Sequence, residues 1–223
     1  MSEATQTATQ EFEQTLNKTD LGHTIYEHRK SLFGLLIAIL VGATVYVFWQ
    51  SSKEAAAMEN SIKVFEFQTG TWADVKGGKS DVAALMSSFE GLSDDIRQSP
   101  SILPLALEMS NYLYGQGNYA EADKILSHLS DLKHPVAQFF VSMQRVAVLE
   151  KMGKLDEAIA ALEPLAKSKD VLMPARVSVE LGRLYLAKGE KGKAQTQFDY
   201  VMNTFPNDEQ AKLAKLYLSQ LAQ

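Results

Sequence analysis

A turn motif recurs three times in the chain at a fixed spacing of 36 residues. Each copy has a glycine in a short turn, an alanine five residues later, and a large apolar residue four residues after the alanine. The three sets are Gly117, Ala122 and Leu126; Gly153, Ala158 and Leu162; and Gly189, Ala194 and Phe198. Segments with the 3.6-residue apolar period of an α-helix flank every turn. The motif therefore predicts an array of helix pairs.

The residue types in this motif match the needs of a tight helix pair. A glycine suits the left-handed position that ends the first helix, and an alanine suits the point where two helix backbones approach most closely. One pair cannot bury its apolar face alone, so successive pairs stack into a solenoid.

The repeats resemble the tetratricopeptide repeat, most closely in the third copy. The matching residues there are Leu181, Gly182, Tyr185, Gly189, Ala194, Phe198 and Pro206. The first two copies depart from the pattern at Met109, Ser110, Leu113, Arg145, Val146 and Leu149. The resemblance implies an all-α fold, a tetratricopeptide-like α-solenoid of about three to four helix pairs.

The regions before and after the repeats extend the solenoid. Helical patterns over Lys53–Gln68 and Asp81–Gln98 predict a degenerate first repeat, with Gly78 and Ala83 as its turn pair and a long loop over Thr69–Ser80. After the repeats, a capping helix is expected to place four apolar side chains on one shielding face. These side chains are Leu213, Leu216, Tyr217 and Leu221.

The stretch Ser31–Ser52 contains no charged residue. Its 22 residues would form a helix of roughly 33 Å, against about 30 Å for the hydrocarbon core of a bilayer. Tyr46 and Trp49 lie at its end, where aromatic rings favour the membrane–water interface. We therefore predict a single transmembrane helix rather than a buried core helix.

The residues around this stretch favour an uncleaved anchor with its N-terminus in the cytoplasm. A signal peptide has a short basic start, whereas thirty residues with five acidic and three basic side chains precede this stretch. Lys18, Arg29 and Lys30 precede the span, and Lys53 and Lys63 follow it. The adjacent basic pair predicts the cytoplasmic side, which places the C-terminal part across the membrane.

The resulting domain organisation has five segments. They are a cytoplasmic, partly disordered tail (1–30), a transmembrane helix (31–52), a helical extension with the degenerate repeat (53–98), three repeats (99–206) and the capping helix (207–223).

Composition excludes several classes of function. The net charge of −5 gives no field that attracts nucleic acid. The absence of cysteine excludes disulfides, thiolate metal sites and cysteine nucleophiles. We expect no cofactor and no small-molecule substrate.

Short motifs that resemble catalytic sites are better explained by structure. Ala73–Ser80 satisfies a permissive phosphate-loop pattern, but no strand is predicted to feed it. The four histidines do not form a cluster of ligands typical of a metal site, so no metal site is expected. The acidic pairs Asp94-Asp95 and Asp156-Glu157 suit helix starts. We predict that the protein is not an enzyme.

The tetratricopeptide resemblance implies that partners bind the inner face, formed by the first helix of each pair. The implied positions are Leu107, Asn111, Tyr114, Phe140, Met143, Ala147, Glu150, Arg176, Val179 and Arg183. This set is apolar and aromatic, with a few charges, and would suit an extended or partly unfolded apolar segment. The alternative is that Phe140 and Met143 pack against neighbouring helices.

The order of segments resembles a bacterial family, the ancillary subunit of the SecYEG translocon in the inner membrane. That resemblance implies a periplasmic repeat domain that associates with translocon subunits and a membrane-bound folding factor and assists exported polypeptides, like a chaperone. The alternative is a scaffold for another envelope assembly, such as cytochrome maturation, division or outer-membrane biogenesis.

Overall fold

The structure is a computed structural model that describes residues 28–130, 132 and 134–222. The predicted all-α fold is confirmed, since these residues form helices and turns with no strand among them. Residues 1–27, which include most of the predicted tail and Lys18, lie outside the described residues.

The helices follow one another in the order expected for stacked pairs. They are α1 (Arg29–Phe67), α2 (Ala73–Lys76), α3 (Val82–Glu90), α4 (Asp94–Arg97), α5 (Leu103–Gly115), α6 (Tyr119–Ser127), α7 (Pro135–Lys151), α8 (Leu155–Lys167), α9 (Pro174–Ala187), α10 (Lys191–Thr204) and α11 (Glu209–Leu221). A π-helical turn, Gln68–Trp72, joins α1 to α2, and a 3-10 turn, Pro100–Ile102, precedes α5.

The chain divides into two compact units, Met1–Ala56 and Ala57–Gln223. The first contains the apolar part of α1, which is long and apolar enough to cross a membrane. The side chains of its most apolar window are uncovered, unlike those of a core helix. At the end of this part, the Lys53 ammonium lies 3.5 Å from the centroid of the Trp49 ring. A cation and an indole together suit the membrane interface.

In the second unit, the turn glycines adopt the left-handed conformation that the motif predicts. Gly117, Gly153 and Gly189 have φ of 80°, 71° and 84°. Each turn closes with the same pair of backbone hydrogen bonds; around Gly153, the Gly153 N–H donates to the Glu150 carbonyl at 2.9 Å and the Lys154 N–H donates to the Leu149 carbonyl at 2.9 Å. This pair is the Schellman arrangement that ends a helix.

The three motif alanines lie in the core of the second unit. Ala122, Ala158 and Ala194 are all fully buried. In the last repeat, α9 and α10 approach closely at Gly182, where an added Cβ atom would lie 2.6 Å from Cε1 of Phe198. This glycine lets α9 pack directly against the Phe198 ring on α10.

The first repeat differs from the prediction in its loop and its register. Most of the predicted loop Thr69–Ser80 is helical, because the π-helical turn carries α1 directly into α2. The loop after Gly78 is two residues longer than the other turns, since α3 begins at Val82, whereas α6 begins two residues after Gly117. Ala83 is consequently exposed. The buried residues of α3 are Leu85, Met86 and Phe89.

The capping helix packs through only part of the predicted face, since Tyr217 and Leu221 contact the core but Leu213 and Leu216 do not. In α11, Ala211 and Ala214 are buried, whereas Leu213 and Leu216 are 38% and 52% exposed. Tyr217 stacks on Phe198 with ring centroids 4.9 Å apart. The small alanines allow α11 to lie close to the last repeat, which turns the two leucines outward.

The core of the repeats consists of two apolar clusters. The first extends from Val64 to Leu129, and the second contains α8, α9 and α10 with part of α11. Helix α7 contributes to both, with Val141 and Val148 in the first cluster and Phe139, Val146 and Leu149 in the second. Helix α7 therefore connects the two halves of the solenoid.

Candidate protein-binding face

The residues implied for binding lie on α5, α7 and α9, the first helices of the three repeats. Phe140 is 49% exposed, the largest apolar exposure in the set. The other exposed members are Asn111, Ala147 and Arg176. The partly exposed members are Leu107, Tyr114, Met143, Glu150 and Arg183.

Val179 is the member of the set that solvent does not reach. Its side chain is 3% exposed and belongs to the second apolar cluster. Because α9 is packed against α8, α10 and α11, this position contributes to the core and has no surface to offer a partner.

Arg183 is held by two carboxylates rather than directed at a partner. Its Nη1 donates to Oε1 of Glu150 at 2.7 Å, and its Nε donates to Oε2 of Glu180 at 3.1 Å. The hydrogen bonds that Arg183 donates to Glu180 and Glu150 raise the pKa of its guanidinium. The three side chains together carry one net negative charge. The positive charge of Arg183 is therefore already neutralised within the repeat domain.

Polar contacts link each first helix to the next. The Lys76 ammonium on α2 lies 2.9 Å from Oε1 of Glu108 on α5. Nε2 of Gln144 on α7 donates to the Leu107 carbonyl on α5 at 2.9 Å. The hydrogen bond from Lys76 lowers the pKa of Glu108. With the Glu150–Arg183 pair, these contacts fix the spacing of the inner helices.

Lys76, Glu108, Gln144 and Glu180 were not predicted from the sequence. Glu108, Gln144 and Glu180 each lie next to an implied groove residue, whereas Lys76 lies well before the set. The partners are 32 to 37 residues apart in the chain, except in the local Glu180–Arg183 pair. The sequence signal for these contacts is a charged or amide side chain that recurs at about one repeat length on the first helices.

The aromatic members of the face are supported by neighbours of the same kind. Tyr114 packs edge-to-face on Tyr119 with centroids 5.4 Å apart, and Phe140 packs in the same way on Phe139 at 5.4 Å. Val136 lies one turn before Phe140 and is 41% exposed. It extends the apolar surface at the start of α7, and its i, i+4 spacing from Phe140 could have identified it.

The motifs that resembled catalytic sites are structural where they are described. Ala73–Lys76 is helical, so Ala73–Ser80 does not form a loop between a strand and a helix. Asp94 and Asp95 lie in the first turn of α4, and Asp156 and Glu157 lie in the first turn of α8, as predicted. The described residues contain no group of three or more side chains suited to a metal ion.

A hollow of about 430 Å³ lies between α7 and α8. Its α7 residues are on the side of that helix away from Phe140. It is lined by α7 and α8, including Ser142, Arg145 and Pro164. The Arg145 guanidinium, which replaces the family's apolar residue, donates through Nε to Oδ1 of Asp123 at 2.6 Å. This ion pair satisfies a charge that the repeat pattern does not otherwise accommodate.

A family model described as a tetratricopeptide repeat-like domain matches residues 25–223. No curated protein matches the chain.

Proposed function

Since the chain belongs to the tetratricopeptide repeat-like domain family, we propose that it is a membrane-anchored module that binds other polypeptides. Domains of this kind commonly bind proteins and typically have no catalytic role. The binding surface is the inner face of α5, α7 and α9, with Phe140 at its centre and Leu107, Tyr114 and Met143 beside it. The anchor is the charge-free part of α1.

The proposed role is that of an accessory subunit of the Sec translocon with a chaperone-like function for exported proteins. The order of anchor, helical extension and repeats supports this role. The tail and the basic pair Arg29-Lys30 would lie in the cytoplasm, and the repeats would lie in the periplasm. The partners would be translocon subunits, a membrane-bound folding factor and exported polypeptides.

The half-exposed Phe140 is the observation on which this proposal depends. A large aromatic side chain in the middle of an inner face is typical of an anchor for a partner. Met143 on the same helix and Tyr114 at the end of α5 are partly exposed, and Met side chains adapt to varied apolar segments. The face therefore suits polypeptides that have not yet buried their own apolar residues.

The proposed topology predicts the result of protease treatment. Protease added to spheroplasts should digest the repeat domain while a tag fused before residue 1 stays protected. Western blots against the tag and against the repeats would report both ends. Digestion of the repeats only after the inner membrane is broken would reverse the orientation.

The proposed role also predicts which proteins a photo-crosslinker reaches. A crosslinking residue at Ala147, which is exposed on α7, should form adducts with exported chains and translocon subunits. The matched position is Ala160, which is exposed on α8, the second helix of the same repeat. Adducts with a single stable folded complex from Ala147 would support an envelope-assembly scaffold instead. Equal adducts from both positions would contradict the inner-face assignment.

A further inference from the structure

Three large apolar side chains are exposed on the part of α1 that belongs to the second unit. Met58 is 68% exposed, Ile62 is 51% exposed and Phe65 is 62% exposed. Their spacing of four and three residues places them on successive turns of one helix face. We call Met58, Ile62 and Phe65 the α1 stripe. Large apolar side chains grouped in this way mark interaction surfaces more often than isolated ones do.

The opposite face of the same helix is the one that packs on the repeats. Val64 and Phe67 are buried on this face, and Oγ of Ser61, which lies between this face and the α1 stripe, is 2.9 Å from Oγ of Ser101. Nδ2 of Asn60 donates to the Asp95 carbonyl at 3.4 Å. The helix is thus already fixed on one side, and the α1 stripe remains free on the other.

The spacing of the α1 stripe matches the seam of a two-stranded coiled coil. Alternating steps of three and four residues keep apolar side chains facing one partner helix. Ala55 precedes Met58 by three residues and continues the pattern towards the charge-free stretch. The surface therefore fits a single helix that runs beside α1, better than it fits a loop or a strand.

Acidic side chains flank the α1 stripe and indicate the charge of that helix. Glu59 and Glu66 occupy one flank, and Glu54 lies on the other, five residues before Glu59. In a parallel pair of identical helices, Glu59 would face Glu54 of the second copy, which is unfavourable. Nζ of Lys63 lies 2.8 Å from Oε1 of Glu59, and Lys63 is on the side of Glu59 away from the α1 stripe. A partner with Lys or Arg beside its apolar seam would be favoured instead.

We propose that the α1 stripe docks a juxtamembrane helix of a different membrane protein, parallel to α1, with basic residues beside an apolar seam. The proposal rests on the membrane anchor of the proposed function. Met58 follows Ser52, the end of the charge-free stretch, by six residues, or roughly 9 Å along a helix. A partner helix that continues directly from its own membrane span would need no linker to lie beside Met58.

Energy transfer in liposomes tests the proposal with defined probes. The full chain has no cysteine, so Ala56→Cys gives one labelling site on an exposed position of α1. The probes are two synthetic single-span peptides with a Leu seam in two juxtamembrane heptads, flanked by Lys in one and by Glu in the other. Energy transfer is measured from a dye on this cysteine to a dye on the peptide. The Lys peptide should reach half-maximal transfer at a peptide-to-lipid ratio about tenfold lower than the Glu peptide.

Two sets of variants separate recognition from folding. Replacing the α1 stripe with Met58→Ser, Ile62→Ser and Phe65→Ser should abolish transfer from the Lys peptide. The double variant Glu59→Lys and Glu66→Lys should reverse the preference, so that the Glu peptide binds better. An unfolded protein cannot produce such a reversal, and Lys63→Gln serves as a control that should leave the preference unchanged.

Other results would overturn the proposal in recognisable ways. Equal transfer from both peptides would remove the charge argument, and stronger transfer between two labelled copies of the protein would identify a homodimer. Quenching of a label at Ile62 by lipid-attached quenchers without peptide would place the α1 stripe in the bilayer surface. Liposome flotation reports the anchor separately. If the protein floats but shows no transfer, the docking surface fails alone; if it does not float, the anchor fails as well.

Discussion

Replacing Gly182 with alanine is expected to destabilise the repeat domain by about 1–2 kcal/mol. The new Cβ atom would lie 2.6 Å from Cε1 and 2.8 Å from Cζ of Phe198. Phe198 cannot easily yield, since it is fully buried and its other face is stacked on Tyr217. Overpacking of this kind costs about 1–3 kcal/mol, and the better helix propensity of alanine returns up to about 1 kcal/mol. Urea unfolding of residues 57–223, followed by circular dichroism, measures the difference.

The same substitution at Gly192 is a matched control in the adjacent helix. A Cβ atom there would meet no atom within 4 Å. Gly192→Ala should therefore leave stability unchanged or raise it by about 0.5 kcal/mol, because alanine loses less conformational entropy in a helix. Opposite signs at the two glycines would isolate the contact with Phe198 from helix propensity.

A second substitution tests the contact directly. Phe198→Leu alone should destabilise by leaving a cavity, but in combination with Gly182→Ala it should cost less than the sum of the two single changes. Contacting residues show coupling energies of about 0.5–3 kcal/mol. Simple additivity would mean that the two helices separate to accept the methyl group, and that the close approach is not required for folding.

The repeat architecture could be predicted from the sequence because its signals are local and repeated. A left-handed turn position strongly favours glycine, and a close helix crossing strongly favours a small residue. The 36-residue spacing of Gly117, Gly153 and Gly189 therefore indicated where each helix pair begins and ends. The long apolar helix was equally predictable, since a charge-free stretch of this length favours one uninterrupted helix that is long enough to cross a membrane.

The first repeat and the capping helix were harder to read because their signals depend on tertiary contacts. The π-helical turn at Gln68–Trp72 adds a residue to a helix turn, and no residue type announces it in advance. Trp72 is fully buried and packs on Tyr112, so the turn is held by a partner distant in sequence. Leu213 and Leu216 looked like a core face, but the smaller Ala211 and Ala214 gave closer packing.

The proposed groove residues lie on the first helices of the three repeats, but two of them have surroundings that the sequence did not indicate. Val179 has the position of a groove residue and the environment of a core residue. Arg183 has the expected exposure for a ligand, yet Glu150 and Glu180 already bind it. Side-chain partners one repeat away cannot be assigned without the helix spacing that the fold sets.

Phe140→Ser is expected to weaken the binding of unfolded polypeptides about tenfold or more, because truncating a central aromatic anchor costs about 2 kcal/mol or above in typical interfaces. The side chain is 49% exposed, so its removal should cost little stability. Fluorescence anisotropy with a labelled, reduced and unfolded secretory protein would report affinity, and thermal unfolding of the same samples would report stability.

Tyr200→Ser provides the matched control for this change. Tyr200 is also aromatic and is 46% exposed, but it lies on α10, the second helix of its pair. It also has an aromatic neighbour, Phe205, with centroids 5.7 Å apart. Its replacement should leave affinity unchanged if partners bind the inner face. Equal losses for both variants would indicate non-specific apolar contact. A loss from Tyr200→Ser alone would place binding on the outer helices, and Phe140 would then be a surface residue with no role in recognition.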